Sequence, residues 1–438
     1  MTRLPFRNHD VDGRHLVKAP EVGAPTPAVA SIAASMPGVP ASGQTAGDTR
    51  RVLAARVAHW YARRRTAAVG VVMVLVWILF DAFNSSFLTT QNIAGLIDQI
   101  VPVAVLSIGT ATVLLSGEID LSGAAVGGVS AALVARLSVN AGLPLALALV
   151  LGLALACAIT VVEALIVTRI GVPSFIATLG GMIALGGVLL LVLPSTFEVN
   201  LAGTSLGAIN TTTVPAVVGY ILAPALGAVV GWRSLRQKMG DDMPRSRRLI
   251  QAGAGLSGTA GLVAIGVMTA YVLGQQGGIP VPVLVMVALV IAGEMALRRS
   301  SYGVHLLAVG GSRPSARRAG ISTRRVVIGA FVVLGTAAFL SGLFSASLDL
   351  GVSASSGPSS EVLDAIAAVV VGGTSLFGGR GSITSALIGA ALIGSITNGL
   401  LLLGVSVAMQ SIVTGLILVA AVSVDMLFSR TRSNRELR

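Results

Sequence analysis

Charged side chains are scarce in this sequence, making up 11% of its 438 residues, whereas ordinary soluble domains carry about a quarter. Hydrophobic residues make up 54%, so polar groups cannot cover a water-facing surface and the surrounding solvent must be largely lipid. The apolar runs are longer than the roughly 10-residue alternating strands of membrane barrels. We therefore expect an all-α fold, a polytopic transmembrane bundle of about 10–12 spans with broken or re-entrant helices.

Lysine, cysteine and histidine are nearly absent. The only lysines are Lys18 and Lys238, and no Gly-Lys-Ser/Thr ending occurs, which excludes a phosphate-binding loop. Cys157 is the single cysteine, so no intrachain disulfide can form. The four histidines are scattered without metal-ligand spacing. Because no nucleophile, base or metal ligands cluster, we expect a protein that is not an enzyme and holds no metal or cofactor.

Basic residues produce a net charge of +12, but they lie in short clusters between apolar runs. This distribution indicates the positive-inside rule rather than nucleic-acid binding, and it places both termini in the cytoplasm of a multi-pass plasma-membrane protein. Residues 1 to about 48 are rich in Ala, Pro, Gly and Ser and show no sustained periodicity, and residues 1–60 are predicted to be a disordered cytoplasmic tail. Residues 61–430 form the predicted transmembrane domain, and 431–438 a second cytoplasmic tail.

Twelve apolar runs are predicted to cross the bilayer, each near the roughly 17–25 residues that a helix needs. They are 66–83, 92–115, 120–140, 144–168, 174–193, 213–232, 249–274, 279–297, 326–347, 361–377, 383–403 and 407–427. The run 361–377 is short and interrupted by glycine, which leaves open whether it crosses or re-enters. Carboxylates near predicted inner helix ends are expected to extend to the interface, namely Glu163, Glu294 and Asp425.

The sequence Gly-Glu-Ile-Asp-Leu-Ser-Gly at 117–123 places two carboxylates between apolar runs. Such groups are costly in a membrane unless they face water, protein or a cavity. One interpretation is structural, with Asp120 and Ser122 capping the next helix. The other is a broken-helix site in which Glu118, Asp120 and Ser122 line a substrate pathway or gate.

A second irregular segment, at 371–382, reads Val-Gly-Gly-Thr-Ser-Leu-Phe-Gly-Gly-Arg-Gly-Ser. So many glycines beside an apolar run indicate irregular backbone, which is tolerated only inside protein or beside water. We expect Gly372, Gly373, Thr374 and Ser375, with Asp364 upstream, to contribute to the pathway or its gates. The glycine and leucine spacing of the two segments matches, which weakly indicates an internal repeat.

The arginine-rich loop 298–325 is predicted to contain a short amphipathic helix capped by Ser312 and ending before Gly320. One interpretation is an anchor that holds the loop at anionic headgroups. The other, which the small-residue pattern favours, is a docking element for a soluble partner. The candidate docking residues are Gly310, Gly311, Arg317, Arg318, Gly320, Arg324 and Arg325.

These three segments, together with Pro-Ser-Phe-Ile-Ala-Thr-Leu-Gly-Gly-Met at 173–182, resemble the permeases of carbohydrate-importing ABC systems, the ribose/xylose group. The extra region 200–280 resembles the xylose type most. The resemblance implies a homodimeric pore in the lipid bilayer, a cytoplasmic ATP-binding-cassette ATPase that consumes the ATP, and an extracytoplasmic sugar-binding protein.

The resemblance is incomplete at two places. Gly123-Ala124 follows Ser122 where the family usually has Val-Gly, and the docking loop lacks the Asn and Glu usual after Gly310-Gly311.

The hypothesis is thus ATP-driven import of a pentose such as xylose. The alternative is an ion-coupled secondary sugar transporter with Asp98, Glu118 or Asp364 as the relay.

Overall fold

The computed structural model describes residues 65–238, 245–356 and 360–436, so the predicted tail at 1–60 and the last two residues lie outside the described part. The first helices of that part are α1 (Arg65–Phe83), α2 (Thr90–Leu115), α3 (Gly123–Ala135), α4 (Leu145–Leu165), α5 (Ser174–Val192), α6 (Ala216–Lys238) and α7 (Arg245–Gly274). They are followed by α8 (Val281–Arg299), α9 (Ser301–Gly311), α10 (Arg313–Arg318), α11 (Thr323–Leu348), α12 (Ser360–Val371), α13 (Ile383–Leu402) and α14 (Val407–Glu436).

Long apolar helices dominate the described residues and confirm the predicted polytopic bundle. Seven are long and apolar enough to cross a membrane: α2, α5, α8, α11, α13, and α3 and α4 when extended by π-helical turns to Asn140 and Ile170. Shorter apolar stretches lie in α1, α6, α7 and α14. Each predicted span overlaps one of these helices, and the bounds differ most at the ends of α6, α12 and α14.

Helices α2, α3 and α11 form the centre of the bundle, because about two thirds of each apolar span is buried inside the protein. Helices α4 and α5 lie at the periphery and present Leu, Ile and Val side chains outward, as lipid contact requires. At the centre, α3 and α11 cross at Gly127 and Gly342. A Cβ on Gly127 would lie 2.6 Å from the Ala338 carbonyl oxygen, so only glycine permits this backbone approach.

The bundle has two chemically different ends. We call the end that carries the arginine-rich segment 298–325 the basic end. The opposite end, here the ribbon end, carries two antiparallel strand pairs. One joins β1 (Glu198–Asn200) to β4 (Gly351–Ser353), and the other joins β2 (Thr213–Val214) to β3 (Ile279–Pro280). Arg136, in the π-helical turn after α3, donates hydrogen bonds to the carbonyl groups of Leu191 and Val192 at the end of α5.

The run predicted at 361–377 is a broken crossing. Helix α12 has only 12 residues, about 18 Å, which is too short for a hydrocarbon core of about 30 Å. Near its start, Glu361 accepts a hydrogen bond from Ser345 in the last turn of α11, at the ribbon end. The irregular residues that follow it reach Leu115 at the basic end, where Gly379 donates to the Leu115 carbonyl oxygen. The segment therefore passes between the two ends instead of re-entering.

The glycine crossing can be tested by adding one methyl group. We expect Gly127→Ala to lower the stability of the purified protein by about 1–3 kcal/mol, because the backbone of α11 cannot move aside as a side chain would. Gly187→Ala is the matched control, since its Cβ would meet open space, and it should be neutral or slightly stabilising. Thermal unfolding in detergent measures both, and equal melting temperatures would contradict the close contact.

Candidate functional site

Residues 116–122 form an irregular segment that enters the bundle from the basic end. Gly117 lies beside Gly310, whereas a Cβ on Gly123 would contact Leu106 of α2 and Leu334 of α11. Leu106 precedes the end of α2 by nine residues, about 13 Å. Helix α3 therefore begins well inside the bundle, and the three polar candidates of this segment are buried there: Glu118 is 5% exposed, Asp120 1% and Ser122 0%.

Helix α5 satisfies the backbone of this irregular segment. The Ile119 N–H donates to Ser174 Oγ and the Leu121 N–H donates to Thr178 Oγ1, both at 3.0 Å. A buried backbone donor without a partner would cost about 1–3 kcal/mol. These two hydroxyls, in the 173–182 motif, thus explain how extended backbone is tolerated at membrane depth.

Asp120 and Glu163 form a buried carboxyl pair through Ser122. Ser122 Oγ lies 2.7 Å from Asp120 Oδ1 and 2.8 Å from Glu163 Oε2, while Asp120 Oδ2 accepts from the Gly123 N–H at 2.8 Å. Asp120 therefore caps α3, as one interpretation predicted, although Ser122 itself makes no capping bond. Because a hydroxyl has one hydrogen, both contacts are hydrogen bonds only when one carboxyl also donates.

The second motif forms a tight turn between α12 and α13. The Ser375 N–H donates to the Arg380 carbonyl at 2.8 Å, and the Gly378 N–H donates back to Ser375. Thr374 is 1% exposed, and its Oγ1 lies 3.4 Å from Ser385 Oγ. Gly372 packs against the Ser385 carbonyl. Thr374 and Gly372 thus hold the turn against the start of α13.

Both motifs meet the arginine-rich segment in a contact that we call the glycine seam, formed by Leu115, Gly117, Gly310, Gly378 and Gly379. The Gly379 N–H donates to the Leu115 carbonyl oxygen at 3.0 Å. A Cβ on Gly378 would lie 2.7 Å from the Gly117 Cα, and one on Gly310 would overlap the Leu115 carbonyl. Three segments far apart in sequence therefore touch through their backbones.

The arginine-rich segment contains two helices, α9 and α10, where one was predicted. Ser312 caps α10, because its Oγ accepts from the Ser315 N–H, and the helix ends two residues before Gly320, as expected. Arg313 pairs with the buried Glu118 across the seam. The first polar motif and the predicted docking helix are thus joined by charge as well as by backbone contact.

The structure divides the predicted docking residues into two groups. Gly311, Arg317, Arg318, Gly320 and Arg325 are exposed at the basic end. Gly310 instead lies in the glycine seam, and the buried Nη2 atom of Arg324 points away from solvent without a protein partner. Five of the seven predicted docking residues are therefore exposed where a partner could contact them.

Asp364 lies apart from the other predicted pathway residues. It follows Glu361 by one turn near the start of α12, at the ribbon end, whereas Gly373 and Ser375 lie in the turn beyond that helix. The structure brings together Glu118 with Arg313 and Asp120 with Ser122, but not Asp364 with either pair.

Two residues of the site were missed from the sequence. Glu163 does not extend to the interface, since it is 4% exposed and joins Ser122. Glu294 accepts from the Ile383 and Thr384 N–H groups and so caps α13. The side chain of Asp425 lies outside the described part. A carboxylate within an apolar run needs a partner, and that rule was the available signal for Glu163.

A polytopic bundle with two irregular polar segments, both packed on a basic helical hairpin, defines a membrane transport protein of the permease class. Comparison with known proteins agrees. A family described as "Branched-chain amino acid transport system / permease component" matches residues 92–422. The chain belongs to this permease family.

Named relatives of the chain transport sugars. The xylose transport system permease protein XylH of Escherichia coli K12 is 33% identical over 365 residues, covering 82% of this chain and 90% of the relative. The ribose import permease protein RbsC of Bacillus subtilis is 32% identical over 353 residues, with coverage of 81% and 90%. No solved structure matches significantly. The relatives confirm the resemblance that the motifs indicated.

Adjacent glycines offer a sharp test of the seam. We expect Gly310→Ala to lower the melting temperature and the yield of folded protein, because its Cβ would overlap backbone that cannot retreat. Gly311→Ala is the matched control, since nothing lies near its Cβ. Thermal unfolding of both variants measures the difference. Equal melting temperatures for the two variants would contradict the backbone contact at Gly310.

The carboxyl pair predicts an order among three variants. Glu163→Gln should lower the free energy of unfolding by less than about 1 kcal/mol, because the glutamine amide donates to Ser122 Oγ as a protonated acid would. Asp120→Ala should lower the free energy of unfolding by more, since it removes both the acceptor of the Gly123 N–H and the partner of Ser122 Oγ. Glu163→Ala should lower it by at least about 2 kcal/mol. Melting temperatures in detergent measure the order, and an alanine variant as stable as Glu163→Gln would contradict it.

Proposed function

We propose that this chain is the membrane-spanning permease subunit of an ATP-binding-cassette importer that translocates a monosaccharide, xylose or a similar pentose. The XylH and RbsC relatives support the sugar class, and the family match supports the permease role. The chain itself carries transport, while ATP binding and hydrolysis belong to a separate subunit.

The observation that carries this proposal is the direct connection between the exposed arginine helix and the buried pathway candidates. Helix α10 presents Arg317 and Arg318 to the outside, while Arg313 of the same helix binds Glu118. Glu118 precedes Asp120 by two residues. A force applied to α10 would therefore be transmitted to the segment that carries Asp120 and Ser122. A lipid anchor would not need such a connection to the interior.

The two ends of the bundle suit two different partners. We infer that the basic end faces the cytoplasm and docks the ATPase, in keeping with the positive-inside rule. The ribbon end then faces outward and receives the sugar-binding protein. Two copies of the chain form the pore in the plasma membrane, and the N-terminal tail and the end of α14 lie in the cytoplasm.

An ion-coupled secondary mechanism is less well supported. Asp98 lies 17 residues before Leu115 on α2, about 26 Å, whereas Glu118 follows the end of that helix. Glu118 is also paired with Arg313, and Asp364 lies at the start of α12. Asp98 and Glu118 are therefore too far apart to pass an ion directly, and the relatives are named as xylose-transport and ribose-import permeases.

The proposal is tested by uptake of labelled xylose and ribose into proteoliposomes that contain this chain, its cognate ATPase and its binding protein. We expect uptake to require ATP and all three proteins. Arg317→Glu/Arg318→Glu should reduce uptake about ten-fold or more, because reversed charges repel the docked surface. Arg169→Glu, another exposed arginine at the basic end, is the control and should transport normally. Uptake by this chain alone under an ion gradient would contradict the proposal.

A further inference from the structure

A cavity of about 300 Å³ lies at the ribbon end, among α3, α11, the β1–β4 ribbon and the start of α12. None of the motif residues lines it, so it is separate from the glycine seam and from the carboxyl pair. Its volume falls at the lower end of the range of small-molecule sites, about 300–1,000 Å³. It is therefore large enough for one monosaccharide with some water.

Small side chains on two helices create the space. Ala124, Gly128 and Ala131 line it at i, i+4 and i+7 on α3, and Gly342 and Ala346 line it from one face of α11. Because α3 begins inside the bundle, Ala124 marks the deep end of the cavity, two residues after Ser122. The cavity thus extends from the ribbon end toward the buried segment 116–122. The Gly127–Gly342 crossing closes the bundle beside it.

Hydrogen-bonding groups surround the part of the cavity nearest the ribbon end. Carboxylates come from Glu198 on β1, Asp349 at the end of α11 and Glu361 on α12. Hydroxyls come from Ser345 and Ser353, and Ser345 donates to Glu361 Oε1 at 2.9 Å, which orients that carboxylate. Burial raises the pKa of the Asp349 carboxyl above its usual range, as expected of a group withdrawn from water.

The chemistry of this lining selects a class of ligand. No lysine or arginine lines the cavity, so an anion would meet only repulsion from three carboxylates. The described residues contain no group of His, Cys, Asp and Glu side chains suited to a metal ion. Carboxylates and serine hydroxyls, which accept and donate hydrogen bonds, instead match the hydroxyl groups of a neutral polyol.

We propose that this cavity is the site at which each copy of the permease receives a neutral sugar from the ribbon end, before the sugar enters the pore that the two copies form. The inference rests on the proposed import function and adds its substrate-contacting residues. Asp349, Glu361 and Ser353 accept hydrogen bonds from the hydroxyl groups of the sugar. The small residues of α3 and α11 leave room for the sugar ring.

The first test removes charge without changing shape. In proteoliposomes with the cognate ATPase and binding protein, we expect Asp349→Asn/Glu361→Gln to reduce xylose or ribose uptake about ten-fold or more, because an amide oxygen accepts a weaker hydrogen bond from a sugar hydroxyl than a carboxylate does. ATP hydrolysis stimulated by the binding protein should persist, so that the number of sugar molecules transported per ATP hydrolysed falls. Asp81→Asn is the control, since Asp81 accepts from the Leu88 N–H away from the cavity, and its uptake should equal wild type.

The second test fills the cavity. In a Cys157→Ala background, Ser353→Cys should react with a small cationic thiol reagent, and the modification should block uptake. Excess xylose or ribose should slow that reaction. Thr211→Cys, exposed at the same end but outside the cavity, should react without loss of uptake and without sugar protection.

The outcomes separate this inference from the function on which it rests. If wild-type chain with both partners transports no sugar, the proposed function fails. If wild type transports while the double variant and the modified Ser353→Cys protein transport equally well, the cavity is not the receiving site and the import function stands. Protection by an organic cation but not by either sugar would likewise overturn the ligand class.

Discussion

At the basic end of the bundle, the Leu115 carbonyl oxygen accepts a hydrogen bond from the Gly379 N–H, and Gly310 packs against that carbonyl group. Any side chain at Gly310 would separate the backbones. The contact joins the end of α2, the turn before α13 and the arginine hairpin α9–α10 at one point. Since backbone contacts cannot adapt as side chains do, these three segments are constrained to keep one relative position.

That constraint explains why the interior can contain so much irregular chain. Residues 116–122 leave the seam and run into the bundle, where Ser174, Thr178 and the Asp120 carboxylate satisfy their backbone or cap the helix that follows. The late start of α3 leaves room along α11, and the ribbon-end cavity occupies it. In the proposed importer, sugar would enter from the ribbon end, and force from the ATPase would reach the segment of Asp120 and Ser122 from the basic end.

The sequence carries enough information to locate the spans, because long apolar runs and arginine clusters depend only on local composition. It also located the Ser312 cap and both irregular motifs, whose glycines and buried carboxylates signal broken helices. It could not show that Gly310 faces Leu115 whereas Gly311 faces open space, since both glycines look alike in one dimension. Glu163 and the cavity were missed because their partners lie on helices far apart in the chain, and only packing brings them together.

The central claim is that the arginine hairpin and the segment 116–122 move as one body. It is tested most directly by cross-linking Glu118→Cys to Arg313→Cys in a Cys157→Ala background with a short reversible bis-thiol reagent, with mass spectrometry to verify the bridge. ATP-dependent sugar uptake in proteoliposomes is then compared before cross-linking, after it and after reduction. We expect the cross-linked protein to transport at a rate comparable to the reduced protein. Loss of uptake that reduction restores would show that the two segments move apart during transport, and would contradict the claim.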